Sequence, residues 1–289
     1  MRTGEPSRTA LATAHARAYH QVAPDEPRIF TDPLALRILG LDVTESADRD
    51  TATLETVADA DFQRKRRWFL AARSRFAEET VAAAYAAGAR QVVILGAGLD
   101  TFGYRNPHAG LRVFEVDHPD TQGWKRERLA ETGIAVPGTL TFVPVDFESR
   151  TLADGLAAAG FARSEPAVFV WLGVIMYLTR ESLESTLGYL AGQDAPVQVV
   201  IDYLCPARTA AEQAALAARA ARIAAVGEPW LTSLSPTEMA ELLSRFGFTG
   251  TEDLSAPELI TRYTGETGGA ARKLATSHIV RAIRGGAPL

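Results

Sequence analysis

Short apolar runs rich in β-branched residues recur through the middle of the chain, each followed by a stretch with helical spacing. Gln91-Val-Val-Ile-Leu95 is the first, and further runs lie at 111–116, 139–145, 167–172 and 197–203. Continuous apolar runs of this length read as strands covered on both faces. Helical spacing fills 119–131, 150–159 and 180–192 between them. Strands alternating with helices are the mark of a mainly parallel sheet. Ser235-Pro236-Thr237-Glu238 is a capping box with proline at the first helical position, so a helix is expected from there to Gly247. Short strands are expected near 248–253 and 277–283.

The N-terminal third has a different rhythm. Residues 8–19 can form a short helix, after which Pro24, Pro27 and Pro33 interrupt the backbone. Residues 34–39, stopped by Gly40, suggest a second short helix, and polar residues 44–53 suggest a loop. One long helix is expected over 54–87. On it Phe62, Arg66, Phe69, Arg73 and Phe76 follow at intervals of four, three, four and three, so they share one face. Arginines inside an aromatic stripe are costly to bury unless paired, which singles out Arg66 and Arg73. A second alanine-rich helical stretch spans 207–226, between Pro206 and Gly227.

Composition narrows the function classes. The chain has 289 residues, 47% hydrophobic and 22% charged, with a formal net charge of −5. These are the values of an ordinary globular protein, and the negative balance argues against a nucleic-acid partner. The single cysteine, Cys205, excludes an intramolecular disulfide and a cysteine-rich zinc site, and no metal is expected. Residues 1–10 lack the apolar core of a secretion signal, and no apolar run is long enough for a membrane span. A cytoplasmic protein without a membrane partner is expected. Oligomeric state is left open.

Residues 91–117 carry the chemistry. Gly96-Ala97-Gly98 follows a buried strand, where glycine eases the turn and lets backbone approach a ligand. A dinucleotide site would want a third glycine at position 101, which here is Thr101. Glu115 and Asp117 lie 19 and 21 residues after Gly96, where a carboxylate can accept from ribose hydroxyls. Ribose without diphosphate describes S-adenosylmethionine. A plain strand-to-helix turn with two solvated carboxylates is the alternative. Asp146-Phe147 at the end of the third strand suits an adenine amino group and ring, or equally a helix N-cap.

Several blocks recur together and in order: Ser7-Arg-Thr-Ala10, Asp32-Pro-Leu-Ala35, Arg73, Leu95-Gly-Ala-Gly-Leu-Asp-Thr101, Tyr104-Arg105, Phe114-Glu-Val-Asp-His-Pro119, Val145-Asp-Phe147 and Gly173-Val-Ile-Met-Tyr-Leu178. In these the chain resembles the leucine carboxyl methyltransferase family of class I S-adenosylmethionine-dependent methyltransferases, especially its bacterial O-methyltransferase branch. The resemblance covers nearly the whole chain. It implies an α/β, Rossmann-like fold with a mostly parallel seven-stranded sheet and an antiparallel last strand. It further implies a single domain over 1–289, made of a helical cap over 1–87 and a core over 88–289 with a lid insertion at about 204–235. Arg73 would grip the methionine carboxylate, and Gly96, Ala97 and Gly98 would lie under the methionine portion. Asp117 or Glu115 would bind ribose, Asp146 and Phe147 would flank adenine, and Arg8 would match a basic lid residue. One departure stands out: where the family has glutamate before the Gly-Val-x-Met-Tyr-Leu block, this chain has Leu172.

The expected activity is O-methylation of a carboxylate or hydroxyl on a small molecule or short peptide, in specialised metabolism. A carboxylate acceptor needs no base, whereas a hydroxyl gains from one. Tyr177, after the fourth strand, and His20, on the N-terminal helix, are the candidate catalytic side chains. Tyr203 is a weaker candidate. Arg17 could guide an anionic substrate but reads more simply as an exposed helix arginine, His118 as a helix start, His108 as solvated and His278 as structural. The rivals are C- or N-methylation, a nicotinamide-dependent oxidoreductase, disfavoured by Thr101 and by Glu181 where a Tyr-x-x-x-Lys pair needs lysine, and a cofactor-binding protein without catalysis, prompted by Leu172.

Overall fold

Gln91–Leu95 forms strand β1 and is buried along its whole length, in keeping with its unbroken apolar run. The computed structural model describes residues 7–24, 26–42, 45, 60–146, 151–225, 227–266 and 274–286. Around β1 lie β2 (Arg112–Asp117), β3 (Leu140–Pro144), β4 (Ala167–Trp171), β5 (Val197–Leu204), β6 (Thr249–Ser255) and β7 (Ser277–Arg284) in one seven-stranded sheet, ordered β3-β2-β1-β4-β5-β7-β6. The first five strands pair parallel, and β7 runs antiparallel to both of its neighbours. This is the mostly parallel sheet with an antiparallel last strand that the resemblance implied. Strand order reverses between β1 and β4, and in open α/β sheets ligands bind beyond the C-terminal strand ends at such a switch point.

Side chains alternate across the sheet and feed two cores. On one face Val93, Leu95, Phe114, Phe169 and Ile201 pack against helices α5 (Leu152–Ala158), α6 (Arg180–Ala191) and α8 (Pro236–Arg245). On the other, Val92, Ile94, Val113, Val170 and Val200 meet Trp68, Phe69 and Phe76 of α2 (Ala60–Ala86), and Leu259 and Ile260 of α9 (Ala256–Thr264). A third cluster joins α1 (Arg8–His20), a 3-10 turn at Arg37–Leu39 and α4 (Pro119–Glu131) through Ala14, Ala18, Ile38 and Leu129. The short α3 (Phe102–Arg105) follows β1, and α7 (Ala210–Ala225), with no buried residue, stands between β5 and α8.

The expected capping box starts α8: Ser235 Oγ accepts from Glu238 N and Glu238 accepts from Ser235 N, a device worth about 1 kcal/mol. Two expectations are corrected. Residues 34–39 form a turn closing in a 3-10 segment rather than a full helix, ended as expected by a left-handed Gly40 at φ 64°. The helix α9 was not expected, although Ser255-Ala-Pro-Glu258 is a second capping box with proline in its first turn. The expected loop at 44–53, apart from Glu45, and the start of the long helix at 54–59 lie outside the described residues. No helix among the described residues is long and apolar enough to cross a membrane.

Candidate functional site

The turn after β1 is built by its own backbone and by β2. Gly96 N and Ala97 N both donate to Val116 O, at 2.9 and 3.1 Å, and Gly98 N donates to Asp117 Oδ2. The other Asp117 oxygen accepts from His118 N at 2.7 Å. The carboxylate is thus fixed at the mouth of the switch point; burial raises its pKa and these two N–H groups oppose the rise. Gly96 (φ 66°) and Gly98 (φ 46°) are left-handed. Added Cβ atoms would lie 2.4 Å from Val174 Cγ2 and 3.2 Å from Ala10 Cβ, so glycine here admits Val174 and α1 onto the turn. Ala97 is buried.

Asp146 follows the end of β3, and Val145 N donates to Asp117 O, which places Asp146 beside the end of β2. Phe147 lies outside the described residues.

Arg73 is buried, and its guanidinium is paired with Asp202 of β5 through Nη1 and Oδ2. The second Asp202 oxygen accepts from Gly173 N. The pairing that an arginine in the aromatic stripe required is therefore met from a strand 129 residues away. Strand register sets Asp202 level with Leu172, since Trp171 faces Ile201.

The N-terminal residues and the segment between β5 and α8, the expected cap and lid, pack beside this edge. Thr101, at the position of the missing third glycine, is buried and donates to Asp32 Oδ2 at 2.7 Å, while Arg105 Nε donates back to it. Asp32 also pairs with Arg17 Nε at 2.9 Å and Arg105 Nε at 3.3 Å. Arg17 further donates to Leu99 O, so it is a buried brace rather than an exposed helix arginine. From the lid, Glu228 accepts from Ser7 Oγ (3.0 Å), Arg8 N (2.9 Å), Thr9 N (3.4 Å) and the Thr9 hydroxyl, capping the start of α1; the Arg8 side chain itself is exposed. Leu231 N and Thr232 N donate to Met176 O, which docks the lid on the 3-10 turn Ile175–Tyr177.

Sequence comparison fits this architecture. The leucine carboxyl methyltransferase family model matches residues 10–191. The chain belongs to the leucine carboxyl methyltransferase family. It is 31% identical to the S-adenosyl-L-methionine-dependent methyltransferase candidate YktD of Bacillus subtilis (strain 168), over 98% of this chain and 100% of that one. It is 36% identical to a second such candidate, Franean1_4929 of Parafrankia sp. (strain EAN1pec), over 65% of this chain and 60% of that one. The fold resembles a solved methyltransferase candidate from Thermobifida fusca YX, with TM-score 0.59, 15% identity and coverage of 98% and 96%. The protein is an S-adenosylmethionine-dependent methyltransferase.

Within this methyltransferase three expectations need correction or completion. Glu115 does not reach the mouth of the site. Its fully buried carboxylate pairs with Lys125 Nζ of α4 at 2.7 Å and accepts from Tyr104 OH at 3.0 Å. It lies two residues, about 7 Å, deeper along β2 than Asp117. His20 does not reach it either. Ala10 touches Gly98, and His20 lies ten residues, about 15 Å, further along α1. It is buried, and burial together with Arg28 and Arg67 pushes its pKa down to about 4. Leu172 packs into the second core and lines a small cavity with Ser74, Glu78 and Asp100. The carboxylate beside Gly173 comes instead from Asp202, which sequence spacing did not disclose.

Tyr177 stands where expected, in the turn after β4. Tyr203 does not: its hydroxyl bonds Asp253, which also holds His278 Nδ1 at 2.7 Å, a structural arrangement. His118 caps α4, its Nδ1 accepting from Asp120 N. His108 is partly covered, stacked on Tyr85 at 4.7 Å.

The Glu115–Lys125 pair predicts a pH effect. Burial raises Glu115 to about 7, against the pull of Lys125. A carboxyl whose folded pKa is raised contributes most below its unfolded pKa and loses that contribution as pH rises towards 7. Lys125→Met removes the compensating cation, so its destabilisation should grow between pH 5 and pH 8 and shrink on acidification. Urea melts of both proteins at the two pH values check this; an equal loss at both would refute the pairing argument.

Proposed function

We propose that this methyltransferase transfers methyl to an oxygen, a carboxylate or hydroxyl, of a small molecule or short peptide in specialised metabolism. The supporting observation is the state of the acids bordering Leu172 and Gly173. Asp202 is ion-paired with Arg73, and Glu78 with both Nη atoms of Arg105. The oxygens of both acids are thus engaged within the chain, an arrangement that suits an acceptor with no proton to hand over better than an ammonium or a carbon acid.

The residues at the switch point suit the cofactor. On this reading Asp117 takes the ribose hydroxyls, Asp146 lies at the adenine edge, and the backbone of Gly96–Gly98 runs along the methionine portion. Arg73 takes the methionine carboxylate, since a guanidinium with five N–H groups keeps donors to spare beyond Asp202. When bound, the cofactor supplies a sulfonium methyl open to in-line displacement. The chain's share is orientation, which can contribute on the order of 7–11 kcal/mol. Tyr177 is the side chain assigned to the acceptor's flank.

The test is transfer of radiolabelled methyl from S-adenosylmethionine into extracts of small metabolites, followed by mild alkali. A carboxyl ester releases its label as methanol, and an ether keeps it on oxygen, as mass spectrometry of the product reveals. Label fixed on nitrogen or carbon would refute oxygen transfer. No transfer across broad metabolite pools, with the cofactor bound, would favour a binding protein without catalysis.

A further inference from the structure

The aromatic and arginine stripe on α2 does not end at Arg73. Towards its N-terminus it runs through Arg66 to Phe62, three turns or about 16 Å along the axis from Arg73. There it meets the lid. Arg219 of α7 places its guanidinium carbon 6.0 Å from the Phe62 ring and 5.2 Å from the Trp230 ring. Trp230 immediately precedes the lid residues that bond Met176 O, so this cluster borders the turn that carries Tyr177. That turn follows Gly173 and Val174, which touch Arg73 and Gly96. The cluster therefore borders the turn that leads away from the methionine end of the donor site.

On these half-buried side chains two donor atoms, Arg219 Nη1 and Trp230 Nε1, are shielded from solvent and lack an acceptor among the described residues. No carboxylate among the described residues forms an ion pair with Arg219. Burial, reinforced by the like charges of Arg66 and Arg222, pushes its pKa down to about 10, still charged at neutral pH. A buried donor left unsatisfied is costly, and more so when charged. Two such donors beside aromatic faces form half of a recognition site whose other half is an anion on an apolar body.

We propose that Arg219 and Trp230 select the methyl acceptor by binding an oxyanion, a carboxylate or a phosphate monoester, carried on an aromatic or otherwise apolar small molecule. This deepens the small-molecule reading above and rests on it. It makes Arg219 a specificity residue of the lid, distinct from Arg73 at the donor.

The test titrates benzoate, phenyl phosphate and benzamide into the S-adenosylhomocysteine-saturated protein, following binding by ligand-observed NMR and calorimetry. Saturable binding of benzoate or phenyl phosphate is expected, the tighter one naming the group, with benzamide at least tenfold weaker. Arg219→Gln should weaken the anion at least tenfold while leaving S-adenosylhomocysteine affinity and melting temperature near wild type. Trp230→Phe, which keeps an aromatic face and loses the N–H, should weaken it less. Binding of neither anion to the wild type, equal binding of benzamide, or anion binding that survives Arg219→Gln would overturn the proposal. Failure of S-adenosylhomocysteine to bind would instead fault the donor-site assignment. Anion binding with label appearing only on nitrogen or carbon would fault oxygen transfer while leaving Arg219 in place.

Discussion

Asp202→Ala should lower the melting temperature by roughly 10 °C and abolish methyl transfer. Asp202 is buried and bonds two groups at once, the Arg73 guanidinium and the N–H of Gly173. Removing one member of a buried ion pair leaves an uncompensated charge and costs about 3–5 kcal/mol. At 2–4 °C per kcal/mol for domains somewhat smaller than this chain, that is roughly the shift stated. Activity falls for a separate reason: Arg73 loses the partner that orients it, and the loop from Gly173 to Tyr177 loses its anchor. The double variant Asp202→Ala/Arg73→Met separates the two. With both charges gone, the apolar pair should regain part of the stability, since buried pairs replaced by apolar groups are often neutral. Transfer should stay absent. Scanning calorimetry reads the first effect and labelled-methyl transfer the second. A double variant no more stable than Asp202→Ala would show that the pair is not what holds this part of the fold.

The same pair marks how far the sequence alone could reach. β1 to β5 were legible because their continuous β-branched runs admit few other readings in a chain with helical spacing between them. The stripe on α2 was legible too, and it announced that Arg73 needed a partner. Its partner was not legible, because Asp202 stands in a mainly apolar strand and nothing local ties it to position 73. Glu228 at the start of α1, from a residue 220 positions away, is hidden in the same way. The glycine turn carries a further reason that sequence did not disclose. Its glycines are also required by left-handed backbone and by the approach of Val174 and Ala10, contacts within the chain. Glu115 and Asp117 could not be ranked by spacing, because alternation puts both on one face. Depth along the strand decides, and depth depends on where α4 places Lys125. The helix α9 carried a readable signal in Ser255-Ala-Pro-Glu258, but it directly follows a strand, and the turn between them has no residues of its own.

Asp117→Ala should lower the affinity for S-adenosylhomocysteine at least a hundredfold without unfolding the protein. In the structure this carboxylate accepts from Gly98 N and His118 N, so it holds the glycine turn in register with the start of α4. On the proposed reading the same group also receives the ribose hydroxyls. Hydrogen bonds to a charged group are each worth about 1.5–3 kcal/mol, and two lost ribose contacts amount to a hundredfold or more. Stability should suffer less, because Asp117 lies at the half-buried end of β2 where water can reach the freed N–H groups. Asp117→Asn sharpens the test. It keeps the shape and one acceptor oxygen but turns an N–H₂ towards one of its former donors, so its affinity should fall between wild type and alanine. Glu115→Gln is the internal contrast: its carboxylate faces Lys125 and Tyr104, so it should cost stability and leave cofactor affinity within a few fold. Calorimetric titration of the three variants, with melting curves alongside, reads all of these. If Glu115→Gln weakened the nucleoside more than Asp117→Ala did, the ribose would belong to the deeper carboxylate, and the depth argument that separates the two acids would be wrong.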